Sequence, residues 1–336
     1  MRTQRSFQVR LASRPDGIPN REHWEIGWTD INSPSDGEVL IETAFISIDP
    51  AMRGWLREAK SYLPPVAIGE VMRAGGVGTV IASKHPDFRE GEQVVGHTGV
   101  QTHALVPGGT LRKVNDNVAP LPAFLGPLGI PGLTAYFGMT EVGAVKQGDT
   151  VLVSAAAGAV GSIAGQIALN LGARRVVGSA GSDEKCRHIV EDLGFDAAIN
   201  YKTEALGERI SERCPEGLDV YFDNVGGDIL DAALAHLRIR ARVVLCGAIS
   251  QYNDLEEVQG PRNYLSLLVR RARMQGFIVS DYAEQYGRAA EEIGGWLEAG
   301  TLNYRNTIVR GLETFPETFQ RIFTGEKLGK LLIQVV

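Results

Sequence analysis

The segment from Val151 to Ala168, VLVSAAAGAVGSIAGQIA, restricts the possible folds of this chain more than any other. Its apolar run, Val151-Leu152-Val153, ends in small residues and passes directly into a helix-like stretch. Between the two lies Ala156-x-Gly158-x-x-Gly161, which matches the dinucleotide fingerprint with alanine in place of the first glycine. Small residues at these positions permit a tight turn, a close backbone approach to a pyrophosphate, and packing of helix on strand. The phosphates then sit on unsatisfied N–H groups at the positive end of the helix dipole. A glycine triplet elsewhere is an ordinary turn; a strand before it and a helix after it supply the context that the fingerprint needs. The segment predicts a βαβ unit that binds a nucleotide.

With 336 residues, the chain has room for about two domains. Its hydrophobic fraction of 44% and charged fraction of 22% are those of a globular protein. A formal net charge of −6 provides no broad basic field for nucleic acid or an anionic membrane. The local cluster Arg270, Arg271 and Arg273 reads as solvated arginines flanking a strand. The N-terminus lacks the apolar core of a signal peptide, and no run approaches the roughly 18 apolar residues of a membrane span. A cytoplasmic location is expected. Cys186, Cys214 and Cys246 are odd in number and far apart, which argues against a disulfide framework. None lies at ligand spacing from a histidine, so no metal site is expected.

Residues 1 to about 125 read as β-rich. Apolar or alternating runs at Glu38–Ile46, Gly76–Ala82, Gln93–Gly96 and Thr102–Val106 are separated by Pro and Gly clusters, which predicts a barrel-like domain. Pro131–Val142 has helical character. Strands are then predicted at Arg175–Val177, Ala197–Asn200, Asp219–Phe222, Arg242–Cys246 and Arg273–Val279, with helices at Asp183–Leu193, Ile229–Leu237 and Glu284–Glu298. This alternation predicts an α/β domain with a Rossmann-type, doubly wound parallel sheet over residues 126–300. Arg305–Arg310 and Lys330–Val336 are strand-like and are expected to rejoin the first domain, giving it residues 1–125 and 301–336. A cleft between two such domains is the natural place for a substrate beside a cofactor.

The end of the second Rossmann strand chooses between cofactors. An NAD site usually carries an acid there to hold the ribose 2′-hydroxyl. Here Gly178-Ser179-Ala180-Gly181-Ser182 is neutral and Lys185 follows, so a 2′-phosphate is attracted and NADP is favoured. Two further segments, Phe222-Asp223-Asn224-Val225-Gly226-Gly227 and Leu245-Cys246-Gly247-Ala248-Ile249-Ser250, fall at predicted strand ends, where ligands bind in such folds.

Taken together, AAAGAVGS (155–162), GSDEK (181–185), NYK (200–202), FDNVGG (222–227) and CGAIS (246–250) resemble the zinc-independent medium-chain dehydrogenases/reductases. The likeness is narrower still to the branch of leukotriene B4 12-hydroxydehydrogenase, prostaglandin reductases and bacterial curcumin reductases. Ser47 to Gly54, Gly129 to Tyr136 and Leu328-Gly329-Lys330 extend it across nearly the whole chain. The resemblance implies a GroES-like β-rich domain beside the Rossmann domain, and NADPH-dependent reduction of the C=C bond of α,β-unsaturated ketones or aldehydes. It implies that Gly158, Ala159, Val160, Gly161 and Ser162 meet the pyrophosphate, with Lys185 and Tyr201 at the 2′-phosphate. Asn224 is assigned to the adenosine side. Cys246, Gly247, Ala248, Ile249, Ser250 and Tyr252 are assigned to the run toward nicotinamide, and Phe277, Ile278 and Val279 to its carboxamide. Lys327 stands where the family has Asn before Leu-Gly-Lys. Ala51 replaces a pocket tyrosine of the mammalian members, and Val269, with Tyr264 nearby, occupies another tyrosine position. A homodimer is implied as well, through sheet edges near Arg273–Val279.

For such a reaction, Tyr252 in GAISQYN is the candidate catalytic phenol, because a neutral tyrosine can donate to a developing enolate. Pocket breadth is expected to depend on the loops Trp55–Pro65 and Tyr252–Tyr264. The alternatives are a quinone reductase on the same fold and a non-catalytic NADPH-binding protein.

Overall fold

The computed structural model describes residues 4–59, 61–253, 258 and 260–335, so parts of both pocket loops lie outside the described residues. The chain divides into one unit of residues 1–125 with 306–336, and a second of residues 126–305.

The first unit begins with a hairpin, β1 (Gln4–Leu11) against β2 (Trp24–Ile31), antiparallel from Gln4↔Ile31 to Leu11↔Trp24. Next come β3 (Glu38–Ser47), a single helical turn α1 (Ala51–Gly54), β4 (Gly75–Ser83), β5 (Gln93–His97), β6 (His103–Pro107) and β7 (Arg112–Lys113). The alternating pattern of β3 buries Val39 and Ile41 against Val80, Phe88, Val94, Ala104 and Val106. β3 is the hub of the sheet: it pairs with β4, with β6 over residues 38–42, and through Phe45–Ser47 with a strand from the far end of the chain.

The second unit opens with α2 (Ile130–Phe137), where Pro131 occupies the first turn. The helical stretch expected to reach Val142 changes character at Gly138. From there Gly143 donates to Gly138 O, five residues back, in a π turn. Gly138 packs against the Phe222 ring, where a Cβ would stand 2.5 Å away.

Strands and helices then alternate in the order β8 (Thr150–Val153), α3 (Gly161–Asn170), β9 (Arg175–Ala180), α4 (Asp183–Glu191), β10 (Ala197–Asn200), α5 (Leu206–Arg213), β11 (Leu218–Asp223), α6 (Gly227–Ala235), β12 (Leu237–Leu245), α7 (Leu265–Arg270), β13 (Arg273–Gly276) and α8 (Tyr286–Glu298). The sheet runs β10-β9-β8-β11-β12-β13, and every pairing is parallel. The order reverses between β8 and β11, and ligands bind at such a switch point. β8 is buried along its whole length, as a central parallel strand covered on both faces must be.

The strand expected over Arg273–Val279 stops at Gly276, and residues 279–285 form a 3-10 segment instead. The apolar run Phe277-Ile278-Val279 resembles a strand in sequence, but it has no neighbour to pair with beyond β12's end at Leu245↔Gly276.

The chain closes in the first unit with β14 (Asn306–Arg310), the amphipathic α9 (Phe315–Thr324) and β15 (Lys330–Gln334). β15 lies parallel to β14 and antiparallel to β3. Lys330 is 3% exposed; its Nζ donates to Ile48 O at 2.9 Å and to Asp49 Oδ1 at 2.7 Å, which pins the residues after β3. No helix is long and apolar enough to cross a membrane among the described residues.

Candidate functional site

The fingerprint folds as a tight turn because each of its small residues is required. Ala155 adopts the left-handed region at φ 49°. Gly158 N donates to Ala155 O, and Ser162 N to Gly158 O, which starts α3. A Cβ on Gly161 would lie 2.4 Å from Ala155 O, so only glycine permits the helix to meet the turn. No side chain caps α3, and the N–H groups of Ala159 and Val160 take no acceptor among the described residues. This is an anion cradle at a helix N-terminus. The alanine at the first fingerprint position is accommodated from the neighbouring strand. A Cβ on Gly178 would be 2.6 Å from the Ala156 Cβ, so the side chain gained in the turn is matched by one absent from β9.

At the end of β9, Ser182 caps α4 by accepting the Lys185 N–H at 3.3 Å. Tyr201 N donates to Ala180 O. A Cβ on Gly181 would be 2.9 Å from the Tyr201 hydroxyl and 3.1 Å from Lys202 Cε, so these side chains crowd the strand end. Burial lowers the pKa of Lys185, and the positive charge of Lys202 lowers it further, against an opposing effect of Glu184. An ammonium group disfavoured by burial and by a neighbouring lysine suits an anionic ligand. The first-turn acid Asp183 is held by Asn200 Nδ2 at 2.7 Å. Lys202 is the residue that the sequence reading left out of the site. Its signal was available, since it adjoins Tyr201 in the NYK run.

The switch point is organised by Asp223, which is 1% exposed. Its carboxylate accepts from Tyr221 OH at 2.7 Å, Ser154 Oγ at 3.1 Å, Val225 N at 3.0 Å and Gly226 N at 3.0 Å. Burial raises its pKa, and those four donors pull it back down. Asn224 bridges β11 to β8: its N–H donates to Ser154 Oγ at 2.8 Å and its side-chain amide to Ser154 O at 2.7 Å. The loop after β12 is fastened to the same turn. Cys246 N and Gly247 N donate to Asp223 O, Ile249 N to Asn224 O, and Ser250 N to Val225 O. The Tyr252 hydroxyl accepts the Ala248 N–H at 3.3 Å, which folds the ring back over Gly247.

Within this unit the structure therefore gathers residues 158–162, Lys185 with Tyr201, Asn224, and Cys246 to Tyr252 at the carboxyl ends of β8, β9, β11 and β12. Phe277, Ile278 and Val279 follow β13, with the Phe277 ring 6.4 Å from Tyr282. Tyr282 in turn stacks on Phe137 at 4.6 Å. Lys327 belongs to the other unit, in the turn between α9 and β15. No three His, Cys, Asp or Glu side chains stand close enough to share a metal ion among the described residues.

Residues 8–114 match the family described as N-terminal domain of oxidoreductase, and residues 159–294 the one described as zinc-binding dehydrogenase. The NADPH-dependent curcumin reductase of Escherichia coli is 41% identical over 99% of this chain and 97% of its own. The NADP+-dependent 2-alkenal reductase of Nicotiana tabacum is 39% identical over 98% and 97%. The chain belongs to the zinc-independent medium-chain dehydrogenases/reductases. A crystal structure of another such protein, CurA from Vibrio vulnificus in complex with NADPH, superposes with a TM-score of 0.93 at 41% identity, covering 99% of each chain. For a medium-chain dehydrogenase/reductase, the cradle at Ala159–Val160 fits the pyrophosphate of NADPH and the lysines fit its 2′-phosphate.

Proposed function

We propose that this chain is an NADPH-dependent reductase of the C=C bond of α,β-unsaturated ketones and aldehydes. The observation that carries the reading is the strand end that presents Lys185 and Lys202 where an NAD site presents an acid. Full-length similarity to proteins named curcumin reductase and 2-alkenal reductase supports the substrate class.

When bound, NADPH would supply a hydride to the β-carbon of the enone, the alkene π electrons would pass to the carbonyl oxygen, and a proton from a phenol or from water would complete the saturated ketone at the α-carbon. The N–H groups of Ala159 and Val160 hold the pyrophosphate, while Lys185, Lys202 and Tyr201 hold the 2′-phosphate. Asp223 fixes the turn Asn224–Gly226 and the loop Cys246–Ser250 in one frame, so that the nicotinamide end is oriented by a rigid loop. Tyr252 is the proposed phenol. Its oxygen accepts the Ala248 N–H, which aligns the ring, and its O–H hydrogen is the one offered to the enolate.

The working assembly in this reading is a homodimer in the cytoplasm. β13 is the last strand of its sheet, and beside it α7 exposes Leu265 (57%), Leu268 (75%) and Val269 (64%). Three free cysteines accord with a reducing compartment.

The test is NADPH oxidation with an alkyl enone, a conjugated diarylheptanoid, a simple quinone and a saturated aldehyde, with NADH run in parallel and the products identified. Saturated ketones formed from enones with NADPH preferred are the expected result. Tight NADPH binding with no turnover makes the chain a binding protein, and turnover of the quinone alone makes it a quinone reductase. Full enone turnover by Tyr252→Phe with unchanged substrate affinity removes the phenol from the mechanism.

A further inference from the structure

A second concavity lies in the same unit, beside the starts of β8 and β13 rather than at the strand ends that carry the residues assigned to the cofactor. Its volume is about 360 Å³, and five of its eight lining residues are cations: Lys146, Arg240, Arg242, Arg271 and Arg273. No lining residue is an acid. Among the described residues only Arg242 has a carboxylate partner, Asp149, and it also donates to Gly143 O at 2.8 Å and Ala144 O at 3.1 Å. Arg273 is held on Val142 O at 2.7 Å and Arg271 on Val269 O at 2.9 Å. Backbone carbonyls thus position these guanidinium groups without neutralising them. That is unusual in a chain whose net charge is −6.

The backbone supplies an independent observation. Four non-glycine residues of the described chain have left-handed φ, and three of them line this pocket: Ala144 (φ 43°), Arg240 (φ 64°) and Arg271 (φ 50°). The fourth, Ala155, sits in the fingerprint turn. Such conformations are disfavoured for residues with a side chain and persist where the surroundings demand them, often at ligand sites. Here they turn the segments before β8, within β12 and before β13 so that residues of all three line one hollow.

We propose that this pocket is a binding site for a small soluble polyanion carrying two or more phosphate groups. Guanidinium forks match phosphate oxygens bidentately, and several forks held in place beforehand favour a multiply charged ligand over a single anion. A concave pocket of this size takes a small molecule rather than a duplex or an extended chain. The site is the arginine-rich stretch that the sequence presents merely as charges flanking a strand.

The test uses the full chain saturated with NADPH, so that the cofactor's phosphate cradle is occupied, and titrates pyrophosphate by calorimetry at constant ionic strength. Saturable binding at one site per chain is expected. Arg240→Gly and Arg271→Gly each remove a cation and relieve a left-handed residue, so loss of binding in them does not arise from unfolding. Each is expected to weaken pyrophosphate at least about tenfold and to leave the Kd for NADPH unchanged. Binding that does not saturate, or that the two variants leave intact, overturns the proposal. Sedimentation with phosphatidylglycerol vesicles separates a lipid headgroup from a free phosphate. Retention on vesicles without pyrophosphate binding overturns the soluble ligand. Enone turnover, measured separately, stands or falls independently of either result.

Discussion

The contact between Ala156 and Gly178 makes a double-mutant cycle that tests how the fingerprint tolerates alanine. Gly178→Ala places a Cβ 2.6 Å from the Ala156 Cβ, 3.0 Å from Ile189 Cγ2 and 3.2 Å from Phe195 Cδ2. Carbon pairs rest at about 3.5–4.0 Å, so the turn or the strand must yield by about 1 Å. Overpacking of this kind costs about 1–3 kcal/mol, less about 0.4–1 kcal/mol for stiffening the unfolded chain. Ala156→Gly alone loses one fully buried methyl and frees the unfolded backbone, at about 1 kcal/mol. In the double variant the worst contact is gone, and Ile189 at 3.0 Å keeps the rescue incomplete. The cycle should therefore show a favourable coupling of about 1–2 kcal/mol. Urea unfolding of the four proteins without cofactor gives the stabilities, and NADPH fluorescence titration gives the Kd. Gly178→Ala should raise the Kd several-fold, because the displaced turn carries the Ala159 and Val160 N–H groups, and the double variant should recover most of it. Additivity within about 0.5 kcal/mol would refute the claim that strand and turn are matched to each other.

Lys185→Ala should raise the Kd for NADPH by about tenfold or more, the worth of a charge-assisted contact, and leave the Kd for NADH unchanged. Burial, and then Lys202, lower the pKa of Lys185, so its positive charge is lost at a lower pH than that of a free lysine. NADPH affinity should accordingly fall as the pH rises through that lowered value, while NADH affinity stays flat across the same range in a fluorescence titration. The three thiols carry a further expectation, relevant to an enzyme exposed to electrophilic alkenes. Burial pushes Cys246 up to about 12, with Asp223 adding to the effect, and pushes Cys186 and Cys214 up to about 11. Since the thiolate is the nucleophile, maleimide should label the native protein slowly at pH 7.5 and all three cysteines rapidly in denaturant. Fast native labelling, read by intact mass, would contradict these assignments.

The central Rossmann strands were legible because β8, β9 and β11 are largely apolar runs, and burial on both faces leaves little polar alternation to confuse. The hairpin β1–β2 was not read as strand, and the reason is physical. Its inward positions include Ser6 and Gln8, both buried, which satisfy themselves on His103 O at 2.8 Å and Gln101 Oε1 at 2.7 Å. A hydrophobic alternation therefore never shows. α9 did leave a signal, with Phe315, Phe319 and Ile322 at i, i+4 and i+7 behind Pro316. α7 left none, since none of its residues is buried. In the site, strand-end glycines and Lys185 could be found from spacing. Lys202 was signalled by the NYK run, and β10 brings it beside Gly181. The anchoring role of Asp223 depends on four donors, three from residues 221–226 and one from Ser154 on another strand's end, which no linear pattern records.

The arrangement of β3 and β15 sets an order of events during synthesis. β3 is finished at Ser47, whereas its partner over Phe45–Ser47 begins only at Lys330. At a translation rate of about 5–20 residues per second, roughly 15–60 s separate the emergence of the two. Throughout that interval the intervening residues 126–305, a contiguous stretch with a core of its own, can complete their sheet. The open end of β3 must wait, with unpaired amide and carbonyl groups on offer to any neighbouring strand. Loss of β15 would make that waiting state permanent, so residues 330–334 govern the stability of a sheet that draws five of its seven strands from the first third of the chain.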